Sequence, residues 1–497
     1  MSRATTHSAV LVAAFAATAI INYAFGVAMS WFFTPAQFGV LGVGQSLLLL
    51  LALAGSSGFA WTTAHDIAAL GVTDGTRRRF RAAWVSNLGL GLGLGGGLWA
   101  LYALGWIPLG PAYRWVVPLV GITAVLLAAR AVVNGAVRGC YQFTSLAVNQ
   151  VGEVVVKSAA GLAFVLAGAG VAGVIAGFAL GSASALAHSL WVTRGARLWQ
   201  GKGWTDAQVM RATAPLFMAM FGTAMMLNLD ILGLKMLTPS GGNEQAGYYQ
   251  AAVILARTPV YIAQSLNLVL FSYIAGATGA VASQGEGTTA YLRVGLRAWI
   301  RLLLPGGLVL ALAPEAALSL FFPTRYLVAA PLLRIAGLGG AILALVTLLI
   351  AIFQAGGGRR RPAAAAALAT AVQIIVLIAL VPRWGALGAA FSLLAAGCTA
   401  LLAMTPLLRA ELGVLWPSSA APIRTQLLRT WLPLAALLLP LWLLPDGGRG
   451  AALVKLGASA LAYLAAMALA YWWPSAGHER PKEPRLAQFL QMLLGGP

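Results

Sequence analysis

The sequence predicts an all-α polytopic membrane protein of about fourteen transmembrane helices, and three observations carry that expectation. The 497 residues are 60% hydrophobic and only 9% charged, with a mean hydropathy of +0.85. Soluble domains are about 45–50% apolar and about 25% charged, so the chain departs from them in both directions. Apolar runs long enough to cross a bilayer recur from end to end. The breaks between them alternate between strongly basic and nearly uncharged, as orientation signals do.

The runs lie near residues 9–33, 37–61, 83–106, 115–137, 143–167, 171–193, 213–237, 247–277, 293–313, 330–353, 363–381, 385–408, 428–445 and 450–473. The first follows a single early Arg and is too long for the apolar core of a cleaved signal, so it reads as a span. In the third, "NLGLGLGLGGGLW" repeats Gly89, Gly93 and Gly97 every four residues. Its alternation mimics a strand, but the apolar context favours a helix, with these glycines lining one face for close packing.

One set of breaks carries Arg77, Arg78, Arg79 and Arg81, then Arg194, Arg197, Lys202 and Arg211, then Arg293, Arg297 and Arg301. It continues through Arg359, Arg360 and Arg361, then Arg409, Arg424 and Arg429, to a tail with Arg480, Lys482 and Arg485. The opposite set holds little beyond Arg114, Arg325, Arg334, Arg383, Arg449 and Lys455. Positive charge stays cytoplasmic, so both termini are expected on that side. The net charge of +20 therefore reads as topology, and no basic-aromatic interleaving of the nucleic-acid type accompanies it. Cys140 and Cys398 stand far apart, and His7, His65, His188 and His478 have no ligand spacing. No metal or cofactor is expected. The breaks are too short for an extramembrane catalytic domain, and Arg485–Leu494 reads as a surface amphipathic helix.

A repeat runs through the chain. "FFTPAQFGVLGVGQ" (Phe32–Gln45) and "MLTPSGGNEQAGYYQAA" (Met236–Ala252) each join two spans through Thr-Pro, a polar tip and a glycine. Thr34, Pro35 and Gly39 match Thr238, Pro239 and Gly247. Farther on, "GAGVAGVIAGFALG" (Gly168–Gly181) is echoed by "RWGALGAAFSLLAAG" (Arg383–Gly397). Two six-span halves of like orientation follow, with an axis along the membrane normal and two spans left over.

The chain resembles the polysaccharide (Wzx-like) flippases of the multidrug/oligosaccharidyl-lipid/polysaccharide exporter superfamily. The resemblance rests on "WFFTPAQFGVLGVGQSLLLLLA" and "GSSGFAWTTAHDIA" in the first half and "NLDILGLKMLTPSGGNEQAGYYQAAVILARTPVYIAQSLNLVLFSYIA" in the second. It spans most of residues 8–408, and differs from the commonest pattern in lacking an Arg shortly after Asp230. It implies two six-helix pseudo-repeat lobes in a V, at 1–205 and 206–410, two additional helices in 411–475, and a cytoplasmic tail at 476–497. It also implies a cationic cavity and a bacterial inner-membrane transporter that moves undecaprenyl-pyrophosphate-linked oligosaccharide to the outer leaflet. Partners would be that lipid-linked substrate, the bilayer and other polysaccharide-assembly proteins. A multidrug or cation antiporter of the same superfamily is the alternative, and a polysaccharide polymerase or ligase a more distant one.

Six ionisable residues fall inside predicted spans: Arg130, Glu153, Lys157, Asp230, Lys235 and Arg257. Glu153 and Lys157 stand four apart on one helix face, and read either as a self-neutralised pair or as a substrate or proton site. Asp230 and Lys235 are five apart, roughly 140° around a helix, so they face different neighbours. Lys235 lies near the outer end and can snorkel to the headgroups. Asp230 needs a partner from another helix, for which Arg257 is the nearest candidate, with Pro259 permitting a kink beside it. Arg257 and Arg130 read as structural ion pairs or as guanidinium forks for a pyrophosphate. Four bases against two acids leave the interior net cationic. Asn22, Gln45, Asn149, Gln250, Asn267 and Gln373 are candidate sugar contacts, with interhelical hydrogen bonding as the plainer role. Tyr248 and Tyr249 read as interfacial belt anchors.

A reporter that is active only outside the cytoplasm, fused after Pro497, is expected to be silent. Activity there would overturn the orientation.

Overall fold

The computed structural model describes residues 3–56, 58–200, 207–238, 241–264, 266, 292, 295–355, 360–415, 423–445 and 447–472. Every regular element among them is helical. The first nine are α1 Arg3–Phe32, α2 Pro35–Ser56, α3 Phe59–Leu70, α4 Asp74–Ala103, α5 Val116–Gly139, α6 Phe143–Leu166, α7 Gly170–Thr193, α8 Ala207–Leu237 and α9 Gly242–Ala256. The next seven are α10 Leu304–Leu312, α11 Pro314–Phe321, α12 Ala330–Ala355, α13 Arg360–Trp384, α14 Ala386–Leu415, α15 Ile423–Leu443 and α16 Arg449–Trp472. Nine helices among the described residues are long and apolar enough to cross a membrane, which makes this a multi-pass membrane protein. Asn267 and the Arg485–Leu494 segment lie outside the described residues.

The chain divides into two compact units, Met1–Gln250 with Gln373–Ala389, and Ala251–Val372 with Ala390–Pro497. In the first unit the Thr-Pro tip is a helix start. The Thr34 amide donates to Gln37 Oε1 at 3.0 Å, and the Gln37 amide donates to Thr34 Oγ1 at 3.4 Å. This reciprocal capping box, with Pro35 at the first helical position, fixes where α2 begins. The two tips of the sequence repeat then lie on each other through their glycines. A Cβ placed on Gly39 would fall 1.9 Å from the Asn243 carbonyl oxygen, and one on Gly247 would fall 1.8 Å from the Pro35 oxygen. Each glycine therefore meets the carbonyl four residues before the other, a self-complementary exchange of the kind a twofold relation produces. The second pair of echoed segments shares a conformation too. Gly170 and Gly385, which open or precede α7 and α14, both take positive φ, at 58° and 54°.

The glycine run of α4 packs on a different face from the one expected. Gly89, Gly93 and Gly97 meet nothing within 4 Å of a placed Cβ. Instead Gly91 lies against Ala128 (2.6 Å) and Gly95 against the Gly121 carbonyl (3.1 Å) of α5. Polar anchors one and two turns earlier choose this register. Trp84 Nε1 donates to the Ala129 oxygen at 3.1 Å, and buried Asn87 Nδ2 donates to the Ala128 oxygen at 2.6 Å. A buried amide without a partner is costly in an apolar interior, so Asn87 turns Gly91 and Gly95, one and two helical turns on, inward.

The α6–α7 pair is held equally close, because a Cβ on Gly177 would fall 2.5 Å from Gly161 N and one on Gly181 would fall 2.6 Å from Lys157 Cβ. In the second unit, Gly340 of α12 lies against the Ala256 oxygen, 1.8 Å from a placed Cβ. Trp299, in a π-helical turn ahead of α10, donates to the Ala341 oxygen at 2.7 Å. Leu434, Leu437, Tyr463 and Met467 join α15 to α16, and Leu308 and Val309 of α10 pack on them.

Gly247→Ala is expected to lower the thermal stability of the purified protein by ~1–3 kcal/mol, the usual cost of overpacking. Gly93→Ala should leave it unchanged or raise it, since an open helical glycine gains from alanine. Equal effects at the two positions would contradict the described packing.

Candidate functional site

Within the first unit, α5, α6 and α7 each present a polar stripe to the others, with α6 antiparallel to the other two. On α5 the stripe is Arg130, Asn134 and Arg138, and on α6 it is Asn149, Glu153 and Lys157, both at steps of four. Because the two helices run in opposite directions, a step up α5 meets a step down α6. Arg130 forms an ion pair with Glu153, and one turn on, Asn134 Oδ1 accepts from Asn149 Nδ2 at 2.9 Å. The stripe on α7 closes the third side. Ser182 Oγ donates to Glu153 Oε1 at 3.3 Å, and Ser189 Oγ bridges Asn149 Nδ2 to Asn134 Oδ1. The glycines at 177 and 181 bring α7 near enough for these short side chains to reach.

The intrahelical Glu153–Lys157 pair expected from spacing does not form. Arg130 and Ser182 occupy the Glu153 carboxylate, and Lys157 Nζ lies 5.1 Å over the Phe178 ring of α7. A guanidinium arriving from another helix offers planar donors that an ammonium on the same helix does not. Arg138 lies 5.5 Å over the Trp61 ring, a second cation held by an aromatic face rather than by an acid. The seam thus sets Arg130, Arg138 and Lys157 against one carboxylate.

Asp230, 0% exposed, accepts from the Tyr249 hydroxyl at 2.8 Å and from the Ile231 amide at 2.9 Å. Tyr249 is fully buried and also lies 3.4 Å from the Ala389 oxygen, so it is a core hydrogen-bonding residue and not a belt anchor. Its neighbour Tyr248 faces the other way and donates to Glu244 at 2.8 Å. The helical pattern is broken at Arg257, two residues before Pro259, where a proline removes a backbone donor. Arg257 itself is buried in the second unit. Lys235 is 3% exposed, and its Nζ lies 3.5 Å from a Cβ placed on Gly242 at the start of α9 instead of extending outward.

The candidate sugar contacts separate. Gln250 Nε2 donates to Gln45 Oε1 at 3.1 Å, joining the two repeat tips, and Asn149 belongs to the seam. Asn22 is half-buried on α1. Gln373, 0% exposed, has no partner for either amide atom among the described residues. Sequence reasoning missed Asn134, Arg138, Ser182 and Ser189. The signal for the first two was the four-residue step from Arg130, while the serines read as ordinary small residues.

The sequence profile described as "polysaccharide biosynthesis protein" matches residues 28–331. Among solved structures, the lipid II flippase MurJ in an inward closed conformation is similar, with a TM-score of 0.68 at 13% identity. The match covers 92% of this chain and 98% of that one. An inward-facing multidrug resistance transporter of the MATE family, in the MOP superfamily, gives 0.61 at 15% identity over 81% and 96% of the two chains. A MOP superfamily transporter from Pyrococcus furiosus gives 0.57 at 15% identity over 83% and 96%. Likeness at these identities establishes the fold. No curated protein sequence matches.

Arg130→Ala is expected to destabilise the protein strongly, because it leaves the Glu153 charge without its cation. Breaking a buried pair costs about 3–5 kcal/mol, and the 17% side-chain exposure of both partners points to the low end. Adding Glu153→Ala should recover much of that loss. Additive losses in thermal unfolding would mean that the two side chains are not coupled.

Proposed function

The chain belongs to the polysaccharide biosynthesis protein family, and on that premise we propose that it flips an undecaprenyl-pyrophosphate-linked oligosaccharide from the inner to the outer leaflet. The setting is the bacterial inner membrane, where surface polysaccharide such as O-antigen, capsule or exopolysaccharide is assembled with other proteins of that process. The architecture of this reading is about fourteen spans, with lobes at 1–205 and 206–410, two further helices in 411–475, and a cytoplasmic tail at 476–497. The reciprocal contact of the Gly39 and Gly247 tips supports two such repeats.

The observation that carries the proposal is the excess of cations in the α5–α6–α7 seam. Arg130, Arg138 and Lys157 face a single acid, and two of the three are held by aromatic rings that leave their charge uncompensated. Such a site favours an anionic ligand over a cationic one. Arg130 holds Glu153 through Nη1 and has a buried Nε without a partner among the described residues, so donors remain for a phosphate oxygen. Arg257 is the second pyrophosphate ligand in this scheme. Asp230 positions cationic groups and does not bind the substrate. Asn22, Gln45, Asn149, Gln250, Asn267 and Gln373 are the polar residues available to sugars as they cross. The lipid tail stays in the bilayer throughout.

The same fold serves drug antiporters, but cation transport needs acids that are free to bind. Here Glu153 is engaged by Arg130 and Ser182, and Asp230 accepts two hydrogen bonds. For the enzymatic alternative, the longest break on the expected outer side offers only Glu315, and Arg334 pairs with it at 3.6 Å. General acid–base chemistry requires a positioned, titratable group, and no second one stands beside it there.

Arg257→Ala is expected to abolish polysaccharide export when the gene replaces the flippase of a strain lacking its own. Full export at normal protein levels would remove Arg257 from the mechanism.

A further inference from the structure

Apart from the polar seam, the first unit contains a laterally open groove between α2, α4 and α8. Val43 and Leu47 of α2, Leu98 and Leu101 of α4, and Leu232 and Met236 of α8 line it, and Trp106 and Ile107 of the α4–α5 connection close its end. Its cavity volume is about 120 Å³, below the range of drug-sized sites and room only for a short length of one acyl chain. Leu101, Trp106 and Met236 are 42%, 63% and 50% exposed, so the groove opens sideways, toward the surface that faces lipid acyl chains in a spanning protein. Lys235 lines this apolar trough with its aliphatic stem, and its ammonium lies beside Gly242 at the start of α9.

Lys235 is 97% buried by the protein, yet it makes no hydrogen bond or ion pair among the described residues. Of the two acids nearest in sequence, Asp230 accepts from Tyr249 and the Ile231 amide, and Glu244 is exposed and accepts from Tyr248. The surroundings raise the positive potential further. Gly242, the first residue of the fifteen-residue α9, sits beside Nζ, so the positive end of that helix points to the same corner. The C-terminus of α8 offers the ammonium partial compensation and no counter-charge. A cation removed from water and left uncompensated is strongly disfavoured, and lysine persists there when something else supplies the anion.

We propose that this groove binds an acidic phospholipid of the bilayer, its phosphodiester paired with Lys235 at the N-terminus of α9 and one acyl chain lying along the α2–α4–α8 trough. Charge selects this occupant. A phosphodiester carries one negative charge and meets one lysine, whereas a pyrophosphate carries at least two and finds no second cation lining the groove among the described residues. The apolar lining excludes a sugar, and the lateral opening admits a chain from the membrane. On the topology assigned by charge, this corner lies at the outer end of the spans. The site is therefore a resident lipid site, separate from the seam used by the transported substrate.

The test uses the full-length protein, purified and delipidated in detergent, with native mass spectrometry and thermal unfolding as readouts. Phosphatidylglycerol should be retained and should raise the unfolding temperature more than phosphatidylcholine of the same chain length. Lys235→Gln should weaken phosphatidylglycerol retention about tenfold, with no effect on phosphatidylcholine. Leu101→Trp, at an exposed position that keeps the fold, should weaken it by filling the trough. Equal retention of the two lipids, or full selectivity in Lys235→Gln, would overturn the proposal. Unchanged retention in Leu101→Trp would do the same. Stabilisation by inorganic phosphate alone that depends on Lys235 would reassign the corner to a free anion and overturn the lipid. The outcome does not depend on polysaccharide export, so loss of the flippase reading and loss of this site are separately visible.

Discussion

No water reaches the middle of a bilayer to solvate a stray charge or amide, and this constraint organises the whole chain. Each helix satisfies its own backbone, so what is left to place is the side-chain polarity. The α5–α6–α7 seam shows the solution. Polar residues recur at one helical step on each of two antiparallel helices, so every rung pairs with another polar rung. Arg130 meets Glu153, Asn134 meets Asn149, and Ser182 and Ser189 complete the two rungs from α7. Cations beyond the supply of acid are laid on aromatic faces, Lys157 on Phe178 and Arg138 on Trp61, where the ring quadrupole substitutes for part of the lost hydration.

Short side chains such as serine bridge helices only if the backbones come close, and glycine makes that approach possible. The α6–α7 contact at Gly161, Gly177 and Gly181 is what lets Ser182 touch Glu153. The tips at Gly39 and Gly247 use the same device to set carbonyl oxygens where a side chain would otherwise stand. Packing and electrostatics are thus one problem here. A methyl group added at a contact glycine would separate the helices and leave a charge without its partner.

The helical class, the alternating charge, the Thr-Pro tips and the polar residues on their stripes were legible because they depend on composition and on one helix at a time. Partnerships were less so. The spacing of Glu153 and Lys157 favoured an intrahelical pair, but an arginine from α5 competes for the same carboxylate, and no single-helix pattern encodes that. The glycine run of α4 has small residues on two faces, and Asn87 and Trp84 decide which one turns inward by finding carbonyls on α5. Tyr249 lies at the end of a span, where tyrosine commonly anchors in the interface. The Asp230 carboxylate holds it in the core instead.

The two unbalanced cationic places in the first unit differ in a way that separates their roles. The seam is built from several cations, an acid and a hydrogen-bonded polar ladder, so it can release and recapture an anion by exchanging partners among groups already present. Lys235 has no such exchange partner. One ammonium among aliphatic and indole side chains can be neutralised by one monoanion and has nothing to pass it to. An arrangement with alternatives suits a ligand that moves through, and one without alternatives suits a ligand that stays. The number of charges at each place, more than its position in the fold, therefore distinguishes a transit site from a resident one.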